Sequence, residues 1–209
     1  QYAFALCETG ALDKAADYID RALALNPRNA NGAHVRSHVY YETGETKLGI
    51  SYLSDWLKTY DRSASLHGHL SWHAALWSLE QGDMDAMWQR IDADVQPGAA
   101  LGLPINVLTD TASILYRAEL AGVAVPDARW QAVSDYAAQY FPKASLGFVD
   151  IHAALAHAMA GNTEAIEALE GVEAPRGRLE PVHRDGDLIR VYVDYAHTDD
   201  AIVNVLAGV

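Results

Sequence analysis

The sequence predicts an all-α protein, a right-handed solenoid of helical hairpins stacked side by side. Three observations predict it. A glycine ends one amphipathic stretch and precedes the next at Gly10, Gly44, Gly82, Gly122 and Gly161. The intervals, about 34, 38, 40 and 39 residues, fall in the range of helical repeats. No period-2 segment competes: the best run, Val191-Tyr192-Val193, also fits helical spacing with Leu188 and Tyr195.

Taken in order, the first unit is the clearest. The stretch from Gly10 to Pro27 resembles the second half of a tetratricopeptide repeat. Ala15 and Ala22 are small where two helices must approach, Ile19 is large where a gap must be filled, and Pro27 cannot continue the helix. Tyr40, Gly44, Gly49 and Leu53 occupy the matching places of the second unit. The units opening at Gly82 and Gly161 match in outline, and a sixth places Ala196-His197-Thr198 where the glycine would stand. Val95 to Pro104 carries two prolines and two glycines and reads as a long loop. Pro126 starts a helix with Trp130 and Val133 on its apolar face, and Phe141-Pro142 stops it. Ala174-Pro175-Arg176-Gly177 reads as a second long loop. Residues 1–209 form a single tetratricopeptide-like repeat domain on this reading. Because Gln1 to Glu8 lack a helix cap, the chain reads as a fragment that begins inside a helix.

Composition narrows the function. The formal net charge is −13, with 28 acidic and 15 basic residues, so binding nucleic acid or an anionic membrane would work against the protein's own field. No apolar stretch reaches the roughly 18 residues of a membrane helix. The N-terminus has no basic region and no small-residue cleavage site of a signal peptide. Cys7 is the only cysteine, which excludes an intrachain disulfide and fits a reducing, cytoplasmic setting.

Nine histidines supply the chemistry. His34, His38 and Glu42 are spaced four apart, as are His69 and His73, so each set forms one stripe on the first helix of its hairpin. First helices of such arrays line the concave surface. Helices pack about 8–10 Å apart, so the two stripes are expected to point into one pocket. Asp110 and Arg117 share a face of the next first helix, and Asp150 and His152 open the one after it. These nine residues are the groove or active-site candidates. Each has a plainer reading. The histidines can be packing residues, Asp110 and Arg117 an internal pair, and Asp150 an N-cap. Trp72, Trp77, Trp88 and Trp130 are expected in the core, and His67, His157, His183 and His197 as ordinary surface or core residues. Imidazoles at i, i+4 have the bite for one metal ion. Val35 and Leu70 follow the first histidine of each pair, where the H-E-x-x-H motif carries its glutamate, which disfavours a zinc-protease reading.

The chain resembles the tetratricopeptide repeat protein 38 family over nearly its whole length. The resemblance rests on Ala24-Leu25-Asn26-Pro27 followed by His34 and His38, on His69, Trp72, His73, Ala75 and Leu76, on Asp110, Ser113, Leu115, Tyr116 and Arg117, and on Asp150 with His152. From Glu180 onward it is only a generic hairpin. The resemblance implies a longer parent with an N-terminal helical half, in a family whose biochemical role is not settled. Some members occur in antibiotic biosynthetic gene clusters, and a hydroxylating flavoprotein role has been suggested for one. That chemistry does not transfer, because no G-x-G-x-x-G fingerprint is present. Asp194 to Ala201 also looks like a segment of Mur-type ligases, but the P-loop they need is missing.

Two functions follow as expectations. In one, the His-rich groove binds a protein, peptide or small-molecule ligand. A receptor for chaperone tails is disfavoured, because His and Glu stand where those receptors carry Lys and Asn. In the other, a histidine–carboxylate site in the same groove performs proton transfer or metal-assisted hydrolysis. A purely structural module, its inner surface covered by an N-terminal half, is the third reading. The sequence names neither a cofactor nor a metal.

Overall fold

The computed structural model describes residues 1–169, together with 180, 181, 192 and 193. Ten α-helices occupy the described residues: α1 (Tyr2–Glu8), α2 (Leu12–Leu25), α3 (Ala30–Glu42), α4 (Thr46–Leu57), α5 (His67–Glu80), α6 (Met84–Arg90), α7 (Pro104–Leu120), α8 (Asp127–Tyr140), α9 (Gly147–Met159) and α10 (Thr163–Glu167). They pair into five hairpins. A π-helical turn, Ile91–Val95, continues α6. None of these helices is long and apolar enough to cross a membrane.

One backbone motif makes all five turns. Gly10 and Gly82 adopt φ of 77° and 75°, and Gly44, Gly122 and Gly161 are likewise left-handed. At Gly82 the glycine N–H donates to Leu79 O, and the next N–H, of Asp83, reaches back to Ser78 O. The same two bonds recur around each of the other four glycines. This is a Schellman closure, in which a residue without Cβ takes the left-handed position and the last carbonyls of the helix find donors. The repeat seen in the sequence is therefore a repeated helix terminus.

What starts the second helices differs. Asp83 and Asn162 cap α6 and α10, accepting from Ala86 N–H and Ala165 N–H at 3.0 and 3.1 Å. Asn29 does the same for the first helix α3, through Gly32 N–H. We expect Asp83→Ala to cost about 1 kcal/mol in urea denaturation, because it orphans an N-terminal donor of a short helix.

The core is assembled from neighbours in sequence. Ala3, Ile19 and Val35, with Cys7, Ala15 and Val39, join α1, α2 and α3. Ala33, Leu53, Leu70 and Trp77 join α3, α4 and α5. Ala75, Met87, Ile91, Ile114 and Ala118 join α5, α6 and α7. Leu108, Leu115, Trp130, Val133 and Val149 join α7, α8 and α9. Each cluster seals one hairpin against the first helix of the next. Among the described helices, close backbone contact is confined to the same or the adjacent hairpin. First helices touch directly in the pairs α1–α3, α5–α7 and α7–α9, whereas the α3 and α5 backbones approach less closely. Side chains span that wider gap.

Three expectations need correction. Tyr192–Val193 pairs antiparallel with Glu180–Pro181, so those two residues are a short strand, not part of a helix. The loop expected from Val95 to Pro104 is shorter. Val95 belongs to the π turn, and Pro104 opens α7, where a missing N–H costs nothing. Trp77 and Trp130 are buried core residues, but Trp72 and Trp88 are only partly buried. The sixth unit, the Ala174–Gly177 loop, His183 and His197 lie outside the described residues.

Candidate functional site

Four imidazoles meet between α3 and α5. His34 and His38 come from successive turns of α3, and His69 and His73 from successive turns of α5. His34 is central. Its Nε2 lies 3.0 Å from His38 Nε2 and 3.0 Å from His69 Nε2. The His73 ring stands 5.1, 4.9 and 4.9 Å, centre to centre, from those of His34, His38 and His69. One nitrogen each from His34, His38 and His73 can be chosen so that all three lie within 4.8 Å of one another.

Flanking helices set the rings. Asp110 on α7 lies 2.9 Å from His69 Nδ1. The carboxylate accepts the Nδ1 proton, which orients the ring with Nε2 toward His34. Glu8 on α1 approaches His38 Nδ1 at 3.7 Å, beyond hydrogen-bond reach. Phe4 closes the α1 side, with ring centres 6.0 Å from His34 and 5.1 Å from His38. Trp72 stacks on His69 at 5.4 Å, nearly parallel. The centre thus draws on the first helices of four consecutive hairpins.

Burial keeps His34, His38 and His73 neutral. The pKa of His34 is pushed down to about 3, first by desolvation and then by the adjoining His69 and His38. His38 is lowered mainly by burial, against the pull of Glu8. His73, 5% exposed, is held well below the ordinary imidazole value by burial and by its three neighbours. At neutral pH these are lone-pair donors, the form that binds metals or accepts protons.

A cavity of about 250 Å³ opens beside the imidazoles, lined by His38, Glu42, Trp72, His73, Leu76 and Arg117, with Glu8 and Tyr41 at its edge. Arg117 is exposed and lies 5.6 Å over the Trp72 ring. Its one side-chain hydrogen bond among the described residues goes to Ser113 O, at 3.3 Å.

The candidate residues therefore divide. His34, His38, His69, His73 and Asp110 form the cluster, and Glu42 and Arg117 line the adjoining cavity. Asp110 and Arg117 do not pair with each other, since Asp110 is committed to His69. Asp150 and His152 on α9 are engaged locally. The Asp150 carboxylate accepts Ser145 N–H at 3.0 Å, serving the α9 N-terminus from inside the first turn while Leu146 takes the cap position. His152 Nδ1 lies 2.7 Å from Phe148 O. His67 and His157 are buried, His67 stacked on Tyr60 and His157 bonded to Ser134 Oγ at 2.8 Å. Sequence reasoning missed Glu8, Phe4 and the placement of Trp72. A signal existed for Glu8, which stands two residues before Gly10, as Glu42 does before Gly44.

No protein-family model matches the chain.

Proposed function

We propose that this chain is a tetratricopeptide-type solenoid, related to the tetratricopeptide repeat protein 38 family, whose first helices form a concave face that binds a small-molecule ligand. The recurrent Schellman turns, the small residues Ala15 and Gly49 at helix contacts and the strictly neighbour-to-neighbour cores support the architecture. The cavity supports the ligand. At about 250 Å³ it is smaller than the roughly 300–1,000 Å³ of drug-sized sites, and suits a small organic molecule better than a peptide strand.

The observation that carries this reading is the Arg117 guanidinium over Trp72 on one wall, with Glu42 on the same lining. An amino acid or similar amino-carboxylate fits that polarity, with its carboxylate on Arg117, its amine toward Glu42 and its apolar part against Trp72 and Leu76. Isothermal titration with phenylalanine, phenylalanine amide and hydrocinnamate tests it. Phenylalanine is expected to bind best, and Arg117→Met to weaken it by about 10- to 100-fold, the effect of losing a charged hydrogen bond. Equal binding of all three probes, no binding, or indifference to Arg117→Met overturns the proposal.

Catalysis in the same cavity is the second reading. It rests on His38 and His73, two imidazoles that burial keeps neutral and that line the cavity.

A further inference from the structure

The imidazole cluster brings together more ring nitrogens than it can pair. Asp110 accepts the Nδ1 proton of His69 on one side of His34, and His38 stands on the other. Both Nε2 atoms then face His34 Nε2 at 3.0 Å. His34 Nε2 carries either one N–H or one lone pair there, and neither serves two ring nitrogens on different sides with good geometry. His73 Nε2 adds a further unmet group. It is buried, on a residue 5% exposed, and has no hydrogen-bond partner among the described residues. A buried polar nitrogen without a partner is destabilising, so a cluster of this kind calls for something at its centre. A cation that accepts several lone pairs at once answers all of them.

The distances agree. Nitrogens about 2.0–2.1 Å from a tetrahedral zinc ion are about 3.3 Å apart. The two Nε2 separations at His34 are 3.0 Å, nitrogens of His34, His38 and His73 lie within 4.8 Å of one another, and His69 joins that set only by a rotation of its ring. The outer partners agree as well. A ligating imidazole that gives its other N–H to a carboxylate is the usual outer shell of a histidine–metal centre, and here His69 has Asp110.

We propose that His34, His38 and His73, whose ring nitrogens lie within 4.8 Å of one another, form the core of a binding site for a first-row divalent transition metal such as zinc, with His69, beside His34 and held by Asp110, as the fourth imidazole. An all-imidazole donor set selects zinc, copper, nickel or iron over calcium or magnesium. Two of the four ligands, His38 and His73, also line the cavity of about 250 Å³, so displacement of either opens a coordination position toward a bound molecule.

The test uses the whole chain, stripped with a chelator and titrated with zinc alone, so its outcome is independent of any cavity ligand. One equivalent of zinc is expected to bind. His34→Asn and His73→Asn are expected to weaken it by more than about 100-fold. Asp110→Asn is expected to weaken it by about 10- to 100-fold, the usual effect of removing an outer-shell partner. His152→Asn should change nothing. Cobalt(II) is the spectroscopic probe. Tetrahedral visible bands without a thiolate-to-cobalt band identify nitrogen ligands and exclude Cys7. Absence of zinc binding by the unaltered chain, affinity unchanged in His34→Asn and His73→Asn, or a thiolate band with cobalt overturns the proposal. If the histidine variants fail to fold by circular dichroism, the cobalt spectrum of the unaltered chain and the Asp110→Asn affinity decide it.

Discussion

Chelator-treated protein should lose several kcal/mol of stability between pH 6.5 and pH 4. The sign follows from the depressed imidazoles. In the unfolded chain a histidine takes up its proton near pH 6.5, whereas folded His34 waits until about pH 3. Between those values the unfolded state holds the extra proton, and ΔG of unfolding falls as pH falls. Above pH 6.5 both states are neutral there and the contribution is complete; it is fully lost below about pH 3. The slope is up to about 1.4 kcal/mol per pH unit for each imidazole kept neutral. His73, His38, His67 and His157 are depressed in the same direction. Urea denaturation across pH, read as protons taken up on unfolding, measures it. Uptake of more than one proton near pH 5 is the expected result, with less in His34→Gln. Stability that stays flat from pH 7 to 5 would show the cluster to be open to water and readily protonated.

Trp77→Ala should cost about 3–5 kcal/mol, a large share of the stability of any domain this size. Trp77 is 1% exposed and lies where α5 crosses α4. Its ring occupies the space that a side chain at position 49 would need: a Cβ built on Gly49 would stand 2.5 Å from the indole Cη2. Glycine inside a helix is itself unfavourable by roughly 0.5–1 kcal/mol, so room for the ring is the physical reason for it here. Because contacts reach only the adjacent hairpin, loss of this ring uncouples the first two hairpins from the rest. Trp77→Phe should be much milder, since it keeps most of the apolar contact and removes a buried N–H without a partner among the described residues. Gly49→Val alone should destabilise by about 1–3 kcal/mol through overpacking. Combined with Trp77→Ala it should be nearly neutral or restoring, and the double-mutant cycle in urea reads that coupling. Additive losses would mean that the two positions do not share the space.

Much of this was legible in the residues. Glycine at each hairpin turn needs only the local chemistry of a helix terminus, and Gly10, Gly44, Gly82, Gly122 and Gly161 all take that role. Four-residue spacing put His34 over His38 and His69 over His73, because a helix turn is a local property. Asp150 illustrates the limit. It lies in the first turn of a first helix like other candidates, yet its carboxylate turns back to Ser145 N–H, a choice set by loop geometry that no spacing reveals. Trp72 illustrates another. An indole in a helix reads as core, and only the wider separation of α3 and α5 leaves it at a cavity wall.

Local chemistry sets the five glycine-ended helices and which side chains share a face, since these depend on residues within one or two turns. The tertiary structure alone decided that α3 and α5 stand apart by the breadth of a layer of imidazoles, that Asp110 reaches His69 across 41 positions of chain, and that Glu8 and Phe4 close the far side. Those relations depend on how one hairpin is displaced and rotated against the next. That offset is fixed by bulky contacts such as Trp77 on Gly49, whose partners lie too far apart in the chain for any local pattern to join them.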